Sequence, residues 1–90
     1  MRLVWRAKAR ADLRDIIDYI SDRNRDGATA LQAATARTVE FLSNNPFMYR
    51  PGRLPDTREA VIHPNYVIVY RVAKDSVIIL AVLHARQNYP

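Results

Sequence analysis

Cysteine is absent from this 90-residue chain, and glycine occurs only twice. Without cysteine there are no disulfides and no thiolate zinc site, which fits a reducing compartment. So little glycine leaves no Gly/Ser linker and no glycine-rich phosphate loop. No apolar run is long enough to cross a bilayer. The opening "MRLVWRAKAR" has neither a long apolar stretch nor a small-residue cleavage site, so a cytoplasmic location with no membrane partner is expected. Two histidines without metal-ligand spacing give no reason to expect a metal or a cofactor. There is no internal repeat or low-complexity tract, and the length predicts one domain over residues 1–90. A chain this short buries a modest fraction of its surface.

Acidic residues are also in the minority. Fourteen Lys and Arg against nine Asp and Glu give a net charge of +5 and a pI near 10.1. Such a balance suits nucleic acid, an acidic protein or an anionic surface as partner, and equally a basic protein that binds none of them.

Periodicity organises the rest. "RLVWR" reads as a short strand with Leu3 and Trp5 on one face. "AKARADLRDIIDYISDRNR" reads as an amphipathic helix with Leu13, Ile16, Ile17 and Ile20 on one stripe. Asp26–Gly27 breaks the pattern, and a second helix starts near Ala28 and stops before Pro46. A short break between two helices predicts an antiparallel hairpin. The basic loop "PFMYRPGRLPDTRE" follows, then strand-like "REAVIH", "YVIVYRVA" and "VIILAVLHAR", the last two joined by the turn "AKDS". The expected fold is α+β: an N-terminal strand, then a helical hairpin packed on one face of a small, mainly antiparallel sheet ending in a three-stranded meander.

The last two strands are apolar on both faces. Val67 and Val69 oppose Tyr66, Ile68 and Tyr70, while Ile78, Leu80 and Val82 oppose Val77, Ile79, Ala81 and Leu83. By the same parity His84 and Arg86 fall on the face of Ile78, Leu80 and Val82. Two helices cover only one face, so an exposed apolar strip and a protein partner are expected on the other. The competing arrangement is a bent sheet covered by the "PFMYRPG" loop.

Four fragments, "ADLRDIIDYI", "GRLPDTRE", "YVIVYRV" and "VLHARQNYP", occur in an order and spacing that resembles the RelE/ParE superfamily of type II toxins, most closely its ParE branch. The resemblance covers nearly the whole chain. It implies a ParD-like antitoxin as partner in a hetero-oligomer, with promoter DNA bound only through that antitoxin. An acidic segment folding onto a basic toxin would gain charge-steered association. If the antitoxin lies along the hairpin and the free sheet face, Tyr19, Ile20, Leu31, Phe41, Val67 and Val69 are candidate contacts, with Arg53 and Arg58 pairing with its carboxylates. Aliphatic residues at helical spacing are alternatively core.

The resemblance also poses a choice of mechanism. RelE-type toxins cut messenger RNA on the ribosome, and ParE-type toxins poison DNA gyrase without being enzymes. Cleavage through a 2′-hydroxyl needs a base, an acid and cations for the phosphate. The RelE pattern has an arginine after the tyrosine that opens the strand at Tyr66, where this chain has Val67. It also has paired lysines before that strand, and "EAVIHPN" has none. His84, Arg86 and Tyr89 remain as the set a nuclease would use. The expectation is therefore a non-enzymatic toxin directed at gyrase, with Arg50, Arg71, His84, Arg86 and Tyr89 as candidate target contacts. His63, before Pro64, is read as a turn residue.

Overall fold

A computed structural model describes residues 1–87. In chain order the elements are β1 (Arg2–Trp5), α1 (Ala7–Ser21), α2 (Arg25–Asn44), β2 (Arg50–Pro51), β3 (Arg58–His63), β4 (Tyr66–Val72) and β5 (Ser76–His84). The strands form one sheet in the order β1-β5-β4-β3-β2. The β3–β4–β5 meander is antiparallel, as its tight turns require, and β1 joins β5 in parallel at the edge. Both helices pack on one face, giving the expected α+β architecture. The two-residue strand β2, which pairs Arg50 with Glu59 and Pro51 with Arg58, lies inside the stretch read from sequence as loop.

Local chemistry sets the helix boundaries. Leu13, Ile16, Ile17 and Ile20 pack against the core as the stripe predicts. The break between the helices falls at residues 22–24, earlier than Asp26–Gly27. Asn24 caps α2 by accepting the N–H of Gly27 at 2.9 Å, which places Asp26 in the first turn where the helix dipole favours an anion. Between helices and sheet lies the main core, with Ala9, Leu31, Val39 and Leu42 against Ala60, Ile62, Ile68, Tyr70, Val77, Ile79 and Val82.

A β-bulge overturns the parity reading of β5. Val69 pairs with Ala81 but Tyr70 pairs with Ile79, so Leu80 is an extra residue. Beyond it, alternation is shifted by one. Val82 joins the helix-side core, while Ala81 and Leu83 turn to the back of the sheet. His84, paired with Tyr66, follows Val82 to the helix side, away from Ile78, which pairs with Arg71 on the back.

The back face is also not the open strip expected. Val67, Val69 and Leu83 form a second buried cluster with Leu80, Ala81 and Ala85 beside it. Val67 and Val69 are 1 % and 2 % exposed, sealed by the chain itself. Open apolar surface on this face is confined to its margins, Val61 above all.

Candidate functional site

The open apolar surface lies on the helix side, where α1, α2 and β1 meet. Two adjoining depressions of about 570 and 630 Å³ share Trp5, Leu13 and Gln32. One continues past Ile17 to Arg10, Arg14 and Asp18, the other past Leu3 to Thr35, Ala36 and Val39. The cause is in the sequence. β1 is a four-residue edge strand, and the side of α2 facing it carries small residues from "ALQAATA" that cannot reach across to Leu3 and Trp5. Thr35 turns its hydroxyl to its own helix, donating to the Leu31 carbonyl at 2.7 Å, so no unpaired polar group interrupts the groove wall there. Short apolar strands and small helical residues are ordinary core material, so periodicity alone gave no sign of this trough. The mismatch in side-chain size was the available clue.

The back face is closed by a clasp. Loop 52–57 is a compact turn in which the Gly52 N–H donates to the Thr57 carbonyl at 2.7 Å and Asp56 takes a left-handed backbone with φ of 61°. A side chain at Gly52 would run into the Thr57 hydroxyl. The turn holds Arg53 over the sheet. Its backbone N–H donates to Glu59 Oε2 at 3.2 Å and its Nε lies 3.3 Å from the same oxygen. Arg50 Nη2 donates to Glu59 Oε1 at 3.1 Å. The Glu59 side chain is only 3 % exposed, and a carboxylate so buried needs such partners. The far end of Arg53 donates to the carbonyls of Gln87 at 2.6 Å and Ala85 at 3.2 Å.

A third feature is the aromatic end of the sheet. Tyr66 sits between His63 and His84, with ring centroids 5.7 and 5.5 Å away. Each imidazole uses Nδ1 to accept a backbone N–H two residues on, from Asn65 and from Arg86. His63, read from sequence as a turn residue, is instead the last residue of β3, where its imidazole braces the turn at Pro64 and Asn65. His84 borders a depression of about 330 Å³ with Lys8, Asp12 and Asp15 from α1. Asp12 accepts both the Lys8 ammonium at 2.8 Å and the Val82 N–H at 3.1 Å. That N–H lies past the last β1–β5 pair, Trp5 with Ile79, so a carboxylate takes it.

These positions sort the candidate residues. Tyr19 and Phe41 are exposed at 57 % and 46 % and available to a partner. Arg23 stacks on the Tyr19 ring at 3.8 Å, and Phe41 meets Tyr49 edge-on. Ile20 is partly buried against the core. Three antitoxin candidates are corrected: Leu31 is 3 % exposed and belongs to the main core, and Val67 and Val69 belong to the back cluster, so none presents a surface. Arg53 and Arg58, expected to meet an antitoxin's carboxylates, are engaged within the chain, Arg53 by Glu59 and by backbone carbonyls and Arg58 by backbone carbonyls. Arg58 donates to the carbonyls of Phe47 and Tyr49 at 3.2 and 2.7 Å and, with the Tyr70 hydroxyl on Pro46, fixes a loop that exposes Phe47 and Met48. Burial of Tyr70 pushes its hydroxyl up to about 12, against the opposing charge of Arg58 and with a smaller push from Tyr49.

Among the described residues the target candidates do not form one patch, although His84 and Arg86 lie together. Arg50 is held by Glu59. Arg71 and His84 sit near opposite ends of β4, since Tyr66 pairs with His84 and Arg71 with Ile78, which separates them by roughly 16 Å at strand spacing. Arg86 is exposed beside His84, and Tyr89 lies outside the described residues. Among the described residues no three His, Cys, Asp or Glu side chains gather as a metal site, and no helix is long and apolar enough to cross a membrane.

A parallel edge strand, a helical hairpin and an antiparallel meander, with a groove beside the hairpin, define a RelE/ParE-like toxin fold. The comparisons narrow the class. Residues 3–89 match the family model described as "ParE toxin of type II toxin-antitoxin system, parDE". A Sinorhizobium fredii protein named "Putative toxin Y4kP" is 38 % identical over 90 residues, covering 99 % of this chain and 93 % of that one. Among solved structures, one titled "Chromosomal ParDE TA system from P. aeruginosa" superposes with a TM-score of 0.80 at 25 % identity, over 93 % of this chain and 95 % of that one. The Helicobacter pylori protein HP0894 shares the fold, with a TM-score of 0.62 at 22 % identity over 94 % of each chain. The chain belongs to the ParE toxin family of type II toxin–antitoxin systems.

Proposed function

We propose that this toxin is silenced by a cognate ParD-like antitoxin seated in the Trp5 groove, and that once released it poisons DNA gyrase without catalysing a reaction itself. The observation that carries the first half is the groove. It is an apolar depression open beside the hairpin, and Arg10 and Arg14 stand at its rim together with Asp18 and Glu40. An antitoxin helix with an apolar stripe matches it in shape, and acidic residues set against Arg10 and Arg14 would pair with that part of the rim. The second half is supported by how few cations gather at one place among the described residues. A phosphodiester cleaved through its 2′-hydroxyl needs its base, acid and cations within reach of one phosphate. Among the described residues His84 has Arg86 beside it and shares a depression with Lys8, but Arg71 stands near the other end of the sheet, and Arg50, Arg53 and Arg58 are engaged by Glu59 or by backbone carbonyls.

Expression alone and together with the antitoxin encoded beside the toxin tests both halves. Growth inhibition without the antitoxin, relieved by it, is expected. Purified toxin added to gyrase and supercoiled DNA is expected to accumulate cleaved DNA. Cut transcripts with undamaged DNA, lost in His84→Ala, would instead favour a ribosome-dependent nuclease.

A further inference from the structure

We infer that Arg53 is a positioning residue for target recognition: it fixes the Ala85–Gln87 turn that carries Arg86, and so couples loop 52–57 to the end of β5. The inference rests on the proposed action on gyrase, and it takes His84 and Arg86, both expected from sequence as target contacts, to be the part that meets it.

The turn is not held by the sheet alone. β5 ends at His84. Beyond it, the N–H groups of Ala85, Arg86 and Gln87 go to the Asn65 carbonyl at 2.7 Å, the His84 imidazole at 3.2 Å and the His84 carbonyl at 2.9 Å. Two of these three acceptors belong to His84, so they curl the turn without tying it to the body. The carbonyls of Ala85 and Gln87 go to the Arg53 guanidinium, 32 and 34 residues away in sequence. That guanidinium is aimed by Glu59, which holds both its Nε and the Arg53 backbone N–H. A guanidinium suits the task because its donors point in fixed directions, one edge toward a carboxylate and the other across two carbonyls. The span also runs over the buried back face. Glu59 lies in the row of Val69 and Ala81, and Val67 with Leu83 forms the next row toward Ala85, so an arginine reaching from Glu59 to Ala85 crosses the cluster. That side chain thereby adds to the cover that Leu80, Ala81 and Ala85 give the cluster and holds the turn from which Arg86 projects.

Arg53→Lys tests this, because lysine keeps the charge and loses the fork. Three measurements are made on the full chain: amide hydrogen exchange, affinity for the antitoxin encoded beside the toxin, and growth inhibition together with gyrase-dependent DNA cleavage. Exchange at Ala85, Arg86 and Gln87 is expected to quicken about tenfold while that of Ile68 in the core holds. Toxicity and DNA cleavage fall by about tenfold or more, and antitoxin affinity stays within about threefold. Glu59→Gln keeps the arginine but removes the charge that aims it. It is expected to shift the same readouts less far, and it serves as the second variant if Arg53→Lys does not fold. Unchanged exchange at the three amides overturns the clasp. Faster exchange with full toxicity overturns the positioning role. Weaker antitoxin binding at an unchanged melting temperature overturns it in favour of a direct antitoxin contact. A wild-type protein that neither inhibits growth nor traps gyrase defeats the target proposal instead, and exchange still decides whether Arg53 holds the turn.

Discussion

The two faces of this sheet are covered by different means. On the helix side, two amphipathic helices lay aliphatic side chains over Ile68, Tyr70, Val77 and Ile79, a broad contact with a gap left beside Thr35 and Ala36 of α2. On the back, Val67, Val69 and Leu83 form a thin cluster with Leu80, Ala81 and Ala85, and an arginine held by a buried glutamate ties the turn beyond it. Helix packing is non-directional and sums over many contacts. The clasp is directional and depends on a few bonds. A small chain can therefore put most of its stability on one face and keep the other thin, because a single long side chain with a polar head can help close a narrow apolar strip. Open surface for a partner then arises where packing is incomplete, beside the helices, rather than where helices are missing.

Equal truncations on the two faces give the largest expected effect. Leu42 is fully buried and Leu83 is 7 % exposed. Leucine-to-alanine changes cost about 2–5 kcal/mol depending on how far the site collapses. Leu42→Ala, boxed in by helix and sheet, is expected near the top of that range. Leu83→Ala is expected near the bottom, because its cluster is small and lies in a thin layer on the sheet with fewer neighbours to lose. Urea titrations of both variants measure the difference. Equal costs would mean that the back face is as rigidly packed as the front.

Much of the fold was legible from sequence, because strands and helices here are written in strong periodicities. The stripe Leu13–Ile16–Ile17–Ile20, the stop before Pro46 and the runs of the meander all lie where pattern placed them. The family was legible for the same reason, through fragments that span the chain. The functional surface was less so. A bulge depends on pairing between strands, and no residue of "VIILAVLHA" announces that Leu80 is extra, so the parity of everything after it was assigned to the wrong face. Arg53 looked like a surface cation because its partners lie 32 and 34 residues downstream and are carbonyls, which carry no mark in sequence. Glu59 follows the alternation of a strand facing solvent, and only the folded chain shows it buried. Leu31 as core, by contrast, was the alternative already implied by its helical spacing.

The helix side carries a pH dependence of its own. Tyr70 is completely buried, and its hydroxyl donates to the Pro46 carbonyl at 2.7 Å. Its pKa is pushed up to about 12 from the ordinary value of 10.0, so the folded state holds the proton more tightly than the unfolded chain. The stability this contributes is complete below about pH 10 and is lost as pH rises toward 12, an expected decline of about 2–3 kcal/mol. Tyr70→Phe removes the hydrogen bond at neutral pH, at a cost of about 1 kcal/mol, and removes this share of the alkaline decline. Other groups titrate in the same window, so the measurement is the difference between wild-type and variant unfolding free energies from pH 9 to pH 12. That difference is expected to shrink and then reverse sign. A constant difference across the window would show that Tyr70 ionises as easily folded as unfolded.

The smallest expected effect on the fold carries the sharpest statement about the two faces. Ala36 is exposed on α2 and lines the groove beside Leu3 and Trp5. Ala36→Arg inserts a long side chain into the open trough without touching the core, and arginine is a good helix former, so stability is expected to move by no more than about 0.5 kcal/mol. If the antitoxin seats in the groove, the same change blocks an apolar contact and should weaken binding by about tenfold or more. The complementary change on the back, Val61→Arg at a margin that is 54 % exposed, should leave antitoxin affinity unaltered. Thermal melts beside binding titrations separate the cases. If Val61→Arg weakens binding and Ala36→Arg does not, the antitoxin uses the clasped face, and the incomplete packing beside the helices has another purpose.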